Sequence, residues 1–358
     1  MRTSFQIALQ SGIPTLFRGE PGVGKSSGIS AFWQALGEPV EVVIASIREP
    51  SDFSGLPFNT EHGVILEPPA WAKRLHKAGR GALFFDEISA ATPTNQNALM
   101  RIVLDRWVGD LKLPDAVKVA AACNPLDQSA GGWDLTAPLA NRFCHLRWQL
   151  DPKAWVVGMT SGWPAPEIIK LPDNWHQAHY PASAALVAAY INHAPHHLLQ
   201  VPKDESRMGE AWPSPRSWTG AATLHAACGS VRETGGAMAE LIAGCVGEGA
   251  AVAFLNWVEQ LDLPDPEEVL RDPTGYELPK RGDRLYAALT SVVAAVVSNN
   301  TPERWVAGCD VMAHAYEKGL ADVAAQAAAL LVKVRPPKTR LPQSFGKLLS
   351  IFEVVDKK

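Results

Sequence analysis

The sequence predicts an α/β fold: a three-layer parallel sheet over the first 150 residues, followed by an all-helical lid and a C-terminal helical region. Three observations predict it. Apolar, strand-like runs alternate with longer amphipathic stretches as far as residue 150. A glycine-rich turn joins the first such run to the first long stretch. Beyond Leu150 the strand signals fade and alanine-rich segments take over. Strands alternating with helices argue for a parallel sheet covered on both faces.

A short helix-like stretch, Arg2–Gln10, comes first. Strands are expected at Pro14–Arg18, Val40–Ala45, Ala82–Phe85, Val117–Ala122 and Phe143–Arg147. Helices are expected at Ser26–Leu36, Pro69–Lys77 and Thr94–Leu104. Alanine-rich segments then run over 182–192, 217–228, 236–259, 283–298 and 317–334, with proline-containing breaks at Pro213–Pro215, Pro264–Pro266 and Pro302. Such apolar segments between proline stops read as helices. The expected domains are 1–150, the α/β core; 151–300, a helical lid; and 301–358, a helical C-terminal extension. From Lys333 onward seven basic residues face two acidic ones, a balance of +5. That pattern marks a solvated surface or a docking tail.

The 358 residues suffice for about two domains at ~150 residues each. Hydrophobic residues at 47% and charged residues at 20% are the balance of a soluble globular chain, able to bury a core without staples. A net charge of −4 and a pI near 6.2 argue against a large nucleic-acid footprint. The five cysteines are an odd number, are never spaced CxxC, and sit among Ala, Val and Gly, so they read as buried reduced thiols. His193, His196 and His197 cluster beside Pro195 without a nearby cysteine and read as a loop, not a metal site. No run approaches the ~18 apolar residues of a membrane span. The N-terminus lacks a long apolar stretch, and the motif at residue 19 would be damaged by signal cleavage, so a cytoplasmic protein is expected.

Residues 19–26 read Gly-Glu-Pro-Gly-Val-Gly-Lys-Ser and fit the P-loop pattern G-x-x-x-x-G-K-[ST]. A strand precedes the motif and a helix follows it, the context the pattern needs. The glycines let several backbone N–H groups point into one hollow at a helix N-terminus, which binds phosphate. Gly19, Pro21, Gly22, Val23, Gly24, Lys25, Ser26 and Ser27 are therefore the candidate nucleotide-binding residues. Lys25 would reach the β and γ phosphates of ATP, and the Ser26 hydroxyl would ligate Mg²⁺. The second piece is Ala82-Leu-Phe-Phe-Asp-Glu87, a buried strand with two acids at its C-terminal end. Ligands of open α/β sheets bind at that end. Asp86 can hold Mg²⁺ there, and Glu87 can orient and deprotonate the attacking water. Together these predict the P-loop NTPase form of the sheet.

These pieces resemble an AAA+ ATPase, most closely its MoxR and dynein-related branch. The resemblance covers the first 150 residues and the segment around 216. Val117–Asn124 resembles the strand that ends in sensor 1, which implies that Asn124 holds the lytic water or the γ-phosphate. Pro138-Leu-Ala-Asn-Arg142-Phe resembles the arginine-finger segment. By that match Arg142 reaches the ATP of an adjacent subunit, with Arg147 as the nearby competitor. Trp212-Pro-Ser-Pro-Arg216-Ser-Trp resembles sensor 2. Ser214 and Pro215 suit a helix start, and a cation in the first turn opposes the helix dipole, so Arg216 needs a reason such as a γ-phosphate contact.

Segments 49–58 and 63–71 resemble a hairpin inserted near helix 2, and 107–119 a shortened second hairpin. Phe58, Val64 and Ile65 are pore-side candidates, with a core-packing hairpin as the alternative. The resemblance further implies a homo-oligomer, a hexameric ring, acting on a protein client. It also implies a von Willebrand A-domain partner. The expected activity is Mg-ATP-dependent remodelling. An ATP-gated assembly scaffold with slow hydrolysis is the alternative. A DNA-acting motor is disfavoured by the acidic charge and by the lack of a basic, aromatic-laced stripe.

Overall fold

The computed structural model describes residues 1–125, 133–261, 263–279 and 281–346. The chain divides into two compact units, Met1–Pro172 with Leu199–Ala251 and Asp173–Leu198 with Val252–Lys358.

The first unit runs α1 (Thr3–Ser11), β1 (Thr15–Arg18), α2 (Lys25–Ala35), β2 (Val40–Ile44), α3 (Ser51–Ser54), β3 (Leu56–Thr60), β4 (Gly63–Glu67), α4 (Ala70–Ala78), β5 (Gly81–Asp86), α5 (Pro93–Asp105), β6 (Trp107–Val108), β7 (Leu111–Lys112), β8 (Val117–Cys123), α6 (Ala137–Ala140), β9 (Cys144–Arg147) and α7 (Pro152–Ser161). Helices Glu205–Met208, Pro215–Ser230 and Gly236–Val246 also belong to it. The central sheet has the order β2-β5-β8-β1-β9 with every pairing parallel. Each of the five strands expected from sequence falls on one of these. β5 is buried from Gly81 to Phe85, the continuous apolar run of a strand covered on both faces. Leu16, Phe53, Leu83, Phe85, Leu99, Val119 and Phe143 share one buried cluster. Phe5, Phe17 and Trp148 form a separate aromatic group, with ring centroids 5.0 to 5.7 Å apart.

Helix starts follow local chemistry. Thr92 caps α5 by accepting from the Asn95 N–H, with Pro93 in the first turn. Ser214 and Ser217 form a reciprocal capping box on Pro215–Ser230. Two strand pairs stand outside the sheet, β3 with β4 and β6 with β7. On the first, Phe58 is 61% and Val64 68% exposed. The core-packing alternative for that hairpin therefore fails at its tip.

The second unit is helical: Trp175–His193, Pro266–Arg271, Gly282–Ser298, Pro302–Glu317 and Ala321–Lys333. Its core gathers Trp305, Met312, Leu331 and Phe345, all essentially inaccessible. The Trp305 indole donates to the Leu331 carbonyl at 2.9 Å. Arg304 grips Glu267 through two 2.7 Å bonds.

Several helical expectations change. The 236–259 segment is two helices, broken at Gly247, whose φ of 81° is left-handed. The break at Pro302 stands, since Gly282–Ser298 ends before it, but a helix not expected from sequence, Pro302–Glu317, begins there, with Pro302 in its first turn and Thr301 capping it by accepting from the Arg304 N–H. The expected breaks at 150 and 300 do not coincide with the two units, because Trp175–His193 packs along the much later Gly282–Ser298. The expected solvated tail is partly embedded, since Phe345 is buried. Residues 347–358 of that tail lie outside the described residues. All five cysteines are buried and free. Among the described residues no helix is long and apolar enough to cross a membrane.

Candidate active site

β1 ends at Arg18, and after six intervening residues α2 begins at Lys25. Gly22 and Gly24 have φ of 77° and 85°, where a side chain would be strained. That turn places the N-terminus of α2 behind the loop, with backbone donors free to meet an anion. Lys25 is 7% exposed. Its ammonium donates to Gly19 O at 2.7 Å, Glu20 O at 2.8 Å and Asn124 Oδ1 at 2.9 Å. Burial lowers its proton affinity, with Cys123, Asp86 and Glu20 opposing. An ammonium whose three bonds all end on neutral oxygens is a cation without a full counter-charge.

The Ser26 hydroxyl donates to Asp86 Oδ2 at 2.5 Å. Asp86 is the last residue of β5, and its other oxygen accepts from the Glu87 N–H at 3.0 Å. Glu87 has a φ of 55°, an unusual conformation for a side chain other than glycine. Its Oε2 accepts from Ser46 Oγ at 2.6 Å, just beyond β2. Asn124 directly follows β8. Lys25, Ser26, Asp86, Glu87 and Asn124 thus meet at the C-terminal ends of β1, β5 and β8, adjacent strands in mid-sheet. The remaining loop candidates divide by exposure. Pro21, Gly22, Gly24 and Ser27 are exposed, and Val23 is half-buried. Ser27 Oγ donates back to Gly24 O at 3.2 Å.

The donor set fits a magnesium nucleotide. Ser26 and Asp86 present hard oxygens in mutual contact, the ligand type Mg²⁺ takes. Among the described residues no three His, Cys, Asp or Glu side chains gather to hold a metal alone. Two protein oxygens completed by phosphate and water are the usual magnesium arrangement.

Arg142 and Arg216 form a second group. Arg142 donates to Pro138 O at 2.5 Å, with Met100 Sδ at 3.7 Å. Burial, then the neighbouring Arg216 guanidinium, lower its proton affinity, with Asp105 opposing. An arginine keeps its proton regardless, so the shift marks uncompensated positive charge. The two segments are tied by Ser214 Oγ donating to Asn141 Oδ1 at 2.7 Å and Asn141 Nδ2 donating to Trp212 O at 3.1 Å. None of the bonds from Arg142 among the described residues goes to the Lys25 group.

Sequence reasoning missed Ser46, Asn141 and Trp148. Ser46 and Asn141 lie in unremarkable polar positions and gave no signal. Trp148, directly after a strand end beside the loop, gave a faint one.

A parallel sheet with a glycine-rich loop between β1 and α2 defines the class of the fold, P-loop α/β. No family model matches the sequence, and no curated protein matches it. Among solved structures, a candidate ATPase from Cytophaga hutchinsonii is 13% identical, with 91% of this chain and 87% of that one covered and a TM-score of 0.34. A full-length MCM homologue from Methanopyrus kandleri is 16% identical, with 71% of this chain covered and a TM-score of 0.39. The chain spans about half, 53%, of that second structure. Likenesses this distant carry no argument about function.

Proposed function

We propose that this chain is a Mg-ATP-dependent AAA+ ATPase of MoxR type, working as an oligomer on a protein client or partner complex. The convergence of Lys25, Ser26, Asp86, Glu87 and Asn124 at three adjacent strand ends supports this reading most directly. Lys25 trades its carbonyl partners for phosphate oxygens. Ser26 and Asp86 would hold Mg²⁺, which would supply neutralising charge to the transferred phosphoryl group. Glu87 takes the proton of the attacking water, and Asn124 orients that water or the γ-phosphate. Arg142, with no bond to its own loop, acts on the nucleotide of a neighbouring copy. Arg216 beside it contacts the γ-phosphate.

The exposed β3–β4 hairpin is the surface offered to the client. A hexameric ring and a von Willebrand A-domain partner belong to this proposal only through the family resemblance, as does a cytoplasmic location.

A second reading, an ATP-gated scaffold with slow hydrolysis, is favoured by one observation. Ser46 holds the Glu87 carboxylate, which withdraws the base until that bond breaks. The hydrolysis rate per subunit against protein concentration, with Mg²⁺, separates the two. A rate that climbs steeply and levels supports shared sites and Arg142 in trans. A flat, substantial rate from a monomer overturns the trans assignment. No hydrolysis at any concentration, with ATP still bound, selects the scaffold.

A further inference from the structure

Trp148 follows β9 directly, and its backbone N–H donates to Arg18 O at 2.7 Å, carrying the β1–β9 pairing to the edge of the phosphate loop. From there its side chain turns under the loop. The indole N–H donates to Val23 O at 3.2 Å. Phe5 stacks on its ring at 5.3 Å, and Phe17 meets it edge-on at 5.7 Å.

Two glycines are dictated by this side chain and its backbone. A Cβ on Gly28, in the second turn of α2, would lie 2.6 Å from the far edge of the indole. A Cβ on Gly19 would lie 2.6 Å from the Trp148 carbonyl oxygen. Real carbon atoms do not approach so closely. The loop is therefore seated on Trp148 at its start, its middle and the helix behind it.

Lys25 is also bonded to the loop carbonyls, through Gly19 O and Glu20 O, as Ser27 is to Gly24 O. The Lys25 bonds compete with phosphate. When Lys25 turns to a ligand, its hold on the loop is released, whereas the Trp148–Val23 bond is untouched.

We propose that Trp148 is a positioning residue for phosphate binding: it holds the loop in its receptive shape through Val23 and Gly28. The inference rests on the nucleotide-binding reading above. Trp148 touches no phosphate position itself and acts through the loop.

The test is ADP affinity by calorimetry with Mg²⁺, alongside melting temperature, for wild type, Trp148→Phe, Trp148→Ala, Gly28→Ala and the Gly28→Ala/Trp148→Ala pair. Losing the hydrogen bond alone predicts a dissociation constant about threefold higher for Trp148→Phe, and losing the packing as well about tenfold higher for Trp148→Ala, since a net bond is worth roughly two- to tenfold. Gly28→Ala weakens binding in the wild-type background and adds little once the indole is gone. If Trp148→Ala does not fold, Trp148→Phe and Gly28→Ala carry the same test. A merely structural Trp148 would lower the melting temperature and leave the affinity of the folded protein within about twofold, which overturns the proposal. So would a Gly28→Ala effect equal in both backgrounds. If wild type itself binds no ADP, the nucleotide reading falls and takes this inference with it. If wild type binds and the variants match it, only the inference falls.

Discussion

The two units use buried polar groups for opposite ends. In the first, Lys25, Asp86 and Asn124 are brought together at strand ends, and the Lys25 and Arg142 cations are left incompletely compensated. In the second, polar groups are spent on closure. Arg304 is matched by Glu267, and the Trp305 indole by the Leu331 carbonyl. Uncompensated charge costs stability, so it persists where a ligand is expected to complete it. Substitutions at those uncompensated groups of the first unit should therefore change chemistry, and those at the closing pairs of the second should change stability.

The largest expected effect is at Arg142. A guanidinium on transition-state charge is worth about 10³–10⁵ in rate, so Arg142→Ala should lose most of that range in the assembled protein while still binding ATP. Full activity in this variant would break the contrast at its strongest point. Next comes Glu87→Gln. A general base contributes roughly 10²–10⁴, so single-turnover hydrolysis should fall by that factor with ADP affinity unchanged.

In the second unit, Trp305→Ala should cost about 3–5 kcal/mol of stability, as for large buried aromatics. Thermal unfolding of the variant reads that loss. Its turnover at temperatures where it remains folded should match wild type, and a drop in turnover would blur the division between units.

The smallest effect is pH-dependent. Burial first, and then Arg18, push the His145 imidazole down to about 3 from its ordinary 6.5, with its bond to Ala140 O opposing. A folded value below the unfolded one means that the unfolded chain binds the extra proton between those limits. Stability is therefore fully present above pH 6.5 and is lost as pH falls toward 3, by on the order of 1 kcal/mol per unit. His145→Gln should flatten that limb of the melting-temperature profile. An unchanged slope would assign acid sensitivity elsewhere.

Local chemistry made much of the first unit legible. The loop glycines, the Asp86–Glu87 strand end and the five apolar strand runs each declare themselves within a few residues, because turn, cap and burial rules act over short spans. Ser46 was invisible because its importance comes from pairing with Glu87 across the sheet, 41 positions away. Gly28 was invisible because its constraint is the Trp148 ring. The break at Pro302 was legible, but the helix it begins was not, since Pro302–Glu317 lacks the alanine-rich run that marked its neighbours; its start is set by Pro302 in the first turn and the Thr301 cap.

By itself, then, the sequence determined the class of fold, the phosphate loop and the acids at the end of β5, since each is written in contiguous residues with a fixed periodicity or spacing. Only the tertiary structure decided that Asn124 meets Lys25, that Asn141 ties Arg142 to the Arg216 helix, that Trp148 seats the loop, and that Trp175–His193 joins the C-terminal helices. Those are contacts between distant segments. They follow from strand order and side-chain shape, which no local pattern encodes.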